Sequence, residues 1–247
     1  TQGVVVVDSG PSYQVAKAMH LAIKKITTQP VKYVINTGGQ DHRWLGNGYF
    51  KQIGAELISS RNARKDMEER GAMELDALRP ELKEKLAGTQ LTYPTYLVSS
   101  VETLKLGGEE IRVIYFHGGH TPGDGVVWLP KERVIFSGDL IFVDRLLGVL
   151  PFSNTRDWLA SFAGIEKLHP QLIVPGHGQV CDLAKAKHET RDYLLLLRNH
   201  MRSSIDSGID LQTAVDTLDQ SAFSYLKNFK LLSGANANRT YLEMENE

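Results

Sequence analysis

"INTGGQDHRWLGN", residues Ile35 to Asn47, closes an apolar strand, passes through a Thr-Gly-Gly-Gln loop, presents Asp41 and His42 side by side, and leaves through a Gly-Asn turn. An imidazole and a carboxylate together at a strand end are the donor types that zinc takes, and iron or manganese where carboxylates are numerous. The segments just before it say where the loop lies. "GVVVVDSG", residues 3–10, is a β-branched run ending in turn residues, so a buried strand is expected there. Pro11 is expected to open a helix whose apolar positions Val15, Ala18, Met19, Ala22, Ile23 and Ile26 recur at helical spacing. "VKYVINT" is the next strand. Strand, helix, strand predicts a parallel unit, with the Asp41-His42 loop at the C-terminal end of a strand, where α/β sites gather.

Working outward, residues 48–54 are expected to form a short helix, "AELISS" a strand, and the charge-rich residues 60–88 a helix with a solvated face. "YLVSSVETLKLGGEEIRVIYFHGG" is expected to be strands around a Gly-Gly hairpin turn. "DGVVWLPKERVIFSGDLI" is expected to be a second hairpin around Pro130-Lys131. Residues 155–168 have an amphipathic helical pattern, and "QLIVPGHG" is a strand running into a loop. From about 182 the chain is expected to be helical, with a turn near Gly208 and a break near Gly234. Two sets of strands, each followed by helices, predict an α/β fold of two sheets packed face to face with helices outside. No internal boundary is visible, so residues 1–247 are expected to form a single domain with a helical C-terminal extension.

The bulk numbers narrow the class. At 247 residues, 42% apolar and 23% charged, the chain has the composition of a globular protein with a sizeable core. A net charge of −1 with interspersed signs gives no bulk attraction to nucleic acid or to an anionic membrane. No apolar run is long enough to span a bilayer. The single cysteine, Cys181, excludes a disulfide framework or a Cys-type zinc site within one chain. The residues show no secretion signal and no starting Met, which fits a fragment or a processed form, so periplasm and cytoplasm both stay open.

Five candidate ligands stand at strand ends among small residues: Asp41, His42, His120 in "HGGHTPGD", Asp139 in "FSGDL" and His177 in "VPGHG". Singly, each is an ordinary capping or turn residue. Five in series, each near glycine, point to a metal centre.

The series "VVVVDSG", "INT…DH…GN", "GGHTPGD", "VIFSGDL" and "VPGHG" resembles the metallo-β-lactamase-fold hydrolases over essentially the whole chain. The resemblance implies an αββα sandwich with metal at the edge of its two sheets. It makes Asp41 and His42 the second half of the HxHxDH signature, His120 the later histidine, Asp139 the bridging carboxylate and His177 the last histidine. "GDLIFVDRLL", "TRDWLASF" and "NANRTYLEMENE" further resemble a quinoprotein-linked, sulfur-oxidation-associated branch described as zinc metallohydrolases, whose usual form carries a secretion signal.

This chain departs from the signature where the family has "NTHxHxDH". It is one residue shorter, and counting back puts Gly39 and Thr37 where the histidines would be. One metal position would keep only His120. The other would keep Asp41, His42, Asp139 and His177. The resemblance therefore implies one Zn2+, with Fe or Mn as alternatives, and hydrolysis of an ester, thioester or amide (lactams included) by an activated water. Asp41 or His120 would orient that water or take its proton. A non-hydrolytic small-molecule-binding protein and a mononuclear iron oxidoreductase are the rival classes. His117 is a surface or supporting histidine, or else a replacement ligand. Trp44 belongs to the core or lines the pocket. The expected partner is a small-molecule substrate, and the long C-terminal helices are compatible with a homodimer.

Overall fold

Four β-branched residues, Val4–Val7, form strand β1 in the computed structural model, which describes residues 2–247. Helix α1 (Tyr13–Lys24) does not begin at Pro11. Ser12 is its N-cap, with extended backbone and a side chain that accepts from the Val15 N–H at 3.2 Å. A serine hydroxyl satisfies a helix-start N–H that proline cannot help, so Pro11 stands just outside. Strand β2 (Val31–Ile35) runs parallel to β1. Two short helices follow, α2 (Asp41–Trp44) and α3 (Asn47–Gln52). Strand β3 (Glu56–Ser60) passes directly into α4 (Arg61–Leu82), with Ser60 accepting from Ala63 N at 2.9 Å as the cap. Strand β4 (Tyr96–Val98) completes a parallel sheet in the order β1-β2-β3-β4. Parallel neighbours need crossovers, and α1, the α2–α3 pair and α4 supply them in turn. Strands β5 (Val101–Leu106) and β6 (Glu109–Tyr115) are antiparallel, joined by Gly107 and Gly108 at φ 61° and 86°, the positive values a two-residue hairpin turn requires. Strand β7 (Gly125–Leu129) pairs antiparallel with β6.

Further along lie β8 (Val134–Phe136), α5 (Thr155–Lys167) and β9 (Leu172–Val174), with β9 parallel to β8. Helix α6 (Leu183–Ala186) continues through a π turn at Lys187–Arg191 into α7 (Asp192–Asp206), and α8 (Leu211–Thr217) and α9 (Phe229–Glu245) end the chain. The expected break at Gly234 is absent, because α9 runs straight through it and the interruption falls at residues 218–228. A helical glycine costs only about 1 kcal/mol. Here burial of Asn236, Ala237, Thr240 and Tyr241 on the following turns offsets it.

The strands fall into two sheets, β1 to β4 and β5 to β9, flanked by helices: the α/β, αββα class. The chain forms two compact units, Thr1–Phe116 with Thr121–Glu132, and His117–His120 with Arg133–Glu247. In the first, Val6, Val34, Phe50 and Leu57 form one core cluster, and Trp44, Leu45, Ala63 and Met67 another. In the second, Phe142, Trp158, Phe162, Ile173, Tyr193 and Leu197 are all fully or almost fully buried. Among the described residues no helix is long and apolar enough to cross a membrane.

Candidate functional site

The loop after β2 is held by the residues that make up its motifs. Asp8, at φ 61°, turns its carboxylate to accept from the Thr37 N–H and the Thr37 hydroxyl, both at 2.7 Å. The Thr37 hydroxyl proton is thereby committed to Asp8. Asn47 donates to Asn36 Oδ1 at 2.8 Å and accepts from Ser9 Oγ at 2.8 Å, while Asn36 donates to the Arg43 carbonyl at 2.7 Å. Ser9, Asn36 and Asn47 are all fully buried. A buried polar group is costly unless paired, so this interlocked set fixes the loop in one shape. It also sets the start of α2 and, with it, Asp41 and His42.

Asp41 lies in the first turn of α2. Its Oδ1 accepts from the His42 backbone N–H at 2.5 Å and lies 3.0 Å from His42 Nδ1. A carboxylate on Nδ1 fixes the ring's orientation and makes Nε2 the lone-pair nitrogen, the usual support for a metal-binding histidine.

The space at the altered loop is filled by a residue that the motifs leave without a role. Arg43 is almost completely buried, with Nη1 at 2.9 Å from Asp124 Oδ1 and Nη2 donating to Thr121 Oγ1 at 2.8 Å. Asp124 also accepts from Thr121 N at 2.6 Å. A side chain at Gly38 would place its Cβ 2.2 Å from Arg43 Nη1, and one at Gly39 would meet Asp66 Oδ2 at 2.3 Å. Both glycines are therefore needed for close approach. His117, by contrast, is exposed. Trp44 is core, stacked on Tyr93 at 5.3 Å, and Gly71 leaves the room its ring takes up.

The other unit carries His120, Asp139 and His177. His120 is nearly buried, its ring edge-on to Phe142 and Trp158, with Nδ1 at 3.0 Å from the Gly148 carbonyl. Since a carbonyl only accepts, Nδ1 carries the proton and Nε2 the lone pair. Asp139 sits in a 3-10 turn, Gly138–Leu140, almost wholly buried. Its Oδ1 is 3.6 Å from His177 Nε2. A Cβ at Gly176 would collide with that same Oδ1, so the glycine of "VPGHG" is what lets the loop close on Asp139. Phe142 stacks on the His177 ring at 4.8 Å. The remaining histidines make contacts within the fold: His20 Nδ1 meets Tyr49 OH at 2.8 Å, the His169 carbonyl accepts from Arg133 Nε at 3.0 Å, His200 bonds the Ala214 carbonyl, and His188 stacks on Phe223. Cys181 is buried, and desolvation pushes its thiol up to about 11.

The sequence profile of the Metallo-beta-lactamase superfamily matches residues 1–177 of this chain. The chain belongs to that superfamily. Among its relatives, the type 2 metallo-β-lactamase of Elizabethkingia meningoseptica is 29% identical over 192 residues, 76% of this chain and 70% of that protein. A metallo-β-lactamase structure from Pontibacter korlensis superposes with a TM-score of 0.62 at 21% identity, covering 78% of this chain and 83% of that one. The stereoselective inverting sec-alkylsulfatase Pisa1 from Pseudomonas sp. superposes with a TM-score of 0.78 at 15% identity. That match covers 97% of this chain and 45% of the alkylsulfatase. The C-terminal helices of this metallo-β-lactamase superfamily member thus have a counterpart in a known fold, although the profile stops at residue 177.

Proposed function

We propose that this superfamily member is a hydrolase that works with one divalent ion, zinc by donor chemistry, with Asp139 and His177 as the ligands of one unit and His42 as the ligand that the motif series adds to them. Asp41 orients His42 and His120 serves as proton acceptor. The donor set fits such an ion. Two ligand atoms sharing a tetrahedral zinc stand roughly 3.4 Å apart, and Asp139 Oδ1 and His177 Nε2 are separated by 3.6 Å. The observation that carries the one-ion reading is Asp66 packed against Gly39, with the Thr37 hydroxyl committed to Asp8. Gly39 and Thr37 are the two positions at which the HxHxDH signature would carry histidines, and at Gly39 the buried Asp66 carboxylate leaves no room for a side chain.

A bound ion would supply Lewis acidity and make water a nucleophile at neutral pH. The chain's own groups do the rest. Asp41 keeps the His42 ring in one orientation through Nδ1. The Gly148 carbonyl fixes the His120 tautomer, leaving Nε2 to take a proton from the attacking water. Phe142 and Trp158 keep that imidazole within an apolar wall. The substrate would be a small molecule with an ester, thioester or amide bond.

Elemental analysis of the purified protein, zinc titration of the metal-free form, and a panel of ester, thioester and lactam substrates test this. One tight zinc per chain with turnover of at least one class is expected. Two tight equivalents would overturn the one-ion reading. Iron with oxygen uptake would make the protein an oxidoreductase, and absence of tight metal would make it a binding protein.

A further inference from the structure

A cavity of about 450 Å³ opens beside His177, lined by Asp144, Arg145, Gln179, Tyr225 and Lys227 among others. Its contents are unusual for a spare surface cleft. Arg145 Nη1 stands 3.4 Å from His177 Nδ1, and its guanidinium lies 5.7 Å from the centre of Phe142, the ring stacked on His177. Arg145 Nε is buried with no hydrogen-bond acceptor among the described residues. A buried donor without an acceptor costs about 1–3 kcal/mol, and more for a charged group. The protein thus leaves the Arg145 guanidinium without a carboxylate partner among the described residues.

Lys227 reaches the same cavity from the C-terminal extension. It is strapped there by backbone bonds, Leu146 N to the Lys227 carbonyl at 2.9 Å and Lys227 N to the Asp144 carbonyl at 3.2 Å. Neither Arg145 nor Lys227 is ion-paired among the described residues. The nearby carboxylates are already engaged. Asp144 takes the Gln179 N–H at 2.9 Å and Lys185 Nζ at 3.0 Å, and these hold its carboxyl below the usual range. Glu189 takes Lys185 at 2.6 Å, the Asp144 N–H at 2.7 Å and the Tyr225 hydroxyl at 3.2 Å. Three cations thus face two satisfied carboxylates, and the excess positive charge sits beside a proposed metal ligand.

We propose that this cavity binds an anionic oxygen group of the substrate, a carboxylate, sulfate or phosphate, through Arg145 and Lys227. The proposal rests on the hydrolase reading only for where the scissile bond lies. Arg145 lines the cavity with a guanidinium that suits a planar or tetrahedral oxyanion, Lys227 adds a second charge, and the Tyr225 ring forms part of the wall. Tyr225 and Lys227 lie beyond the segment matched by the family profile. The extension is therefore what gives this site its preference for charged substrates.

The zinc-loaded protein tests this with two matched pairs. In the first, 4-nitrophenyl butyrate and the 4-nitrophenyl monoester of glutaric acid are compared as substrates. The anionic ester should have the larger kcat/KM, roughly tenfold or more, mainly through KM. In Arg145→Gln combined with Lys227→Gln, loaded with zinc to the same content as the wild type, the ratio of the two should fall to about one. In the second pair, calorimetry compares glutarate with neutral glutaramide. Glutarate should bind at least tenfold tighter, and the double variant should abolish the difference. Methyl sulfate and methyl phosphate as competitors identify which oxyanion fits best. Lys227 is exposed, so Lys227→Gln alone, expected to lower the preference partway, keeps the test open if Arg145→Gln fails to fold. A protein that turns over neither ester refutes the hydrolase reading, while the binding pair still decides the pocket. Glutarate binding no better than glutaramide, or a preference that survives in the double variant, would overturn the proposal.

Discussion

At the scale of single residues, Arg43 decides more of the loop's shape than Asp41 or His42 beside it. Its guanidinium and the Asp124 carboxylate are both essentially out of water. Removing one member of such a pair leaves the other charge buried alone, so Arg43→Met should lose about 3–5 kcal/mol. Urea unfolding measures this. The double change Arg43→Met with Asp124→Asn should lose less than the sum of the two single changes, because it removes the uncompensated charge. Asp41 has the opposite profile: little weight in the fold and much in the site. Its contact with His42 Nδ1 should make Asp41→Asn bind zinc about 10–100-fold more weakly, as read by competition with a chromophoric chelator, with little change in unfolding free energy.

At the scale of elements, α4 and α9 each carry a polar load that their sequences disguise. On α4, Arg70 is clamped between Asp66 and Glu74, both buried. Burial pushes Glu74 up to about 7 although Arg70 pulls the other way; Asp41 and Asp66 add to the rise. Between its ordinary value of 4.5 and about 7 the folded chain therefore holds a proton that the unfolded chain has released. Stability should fall as pH rises through that window, by an amount on the order of 2 kcal/mol. Melting temperatures of wild type and Glu74→Gln at pH 5 and pH 7.5 check the sign: the variant's decline should be the smaller. On α9, Asn236 accepts from Val149 N at 2.7 Å and donates to the Leu147 carbonyl at 2.8 Å. Those two residues flank Gly148, whose carbonyl holds His120. Asn236→Leu should therefore cost about 1–3 kcal/mol for each group it orphans and lower turnover while zinc stays bound. Stopped-flow rates beside metal content separate the two effects.

At the scale of the whole molecule, the strands, their order and the two-sheet class are legible in the sequence because β-branched runs, glycine turns and ordered motifs repeat one signal at several levels. The glycines of "VPGHG" and "GGHTPGD" are legible as loop-forming, and the close approaches at Gly176 and Gly119 show what they make room for. Less can be read where one residue acts across a long stretch of chain. Arg43 follows Asp41-His42 as any helix residue might, and only the fold brings Asp124 to it. The break expected near Gly234 falls elsewhere because glycine marks turns on average, whereas α9 is held by Asn236 and Thr240, polar residues that leave no apolar stripe to read. The packing of Arg43 and Asp66 against two glycines also limits what a single substitution can restore. A loop that has merely lost two imidazoles could regain them one at a time. Here the vacated volume has been built over, so Gly39→His alone meets Asp66 and should destabilise by about 1–3 kcal/mol without adding a second zinc equivalent in titration. An imidazole at Gly39 therefore needs a change at Asp66 as well. On the one-ion reading, a second ion is out of reach of any single substitution in this loop and needs paired changes that empty the space before an imidazole can fill it.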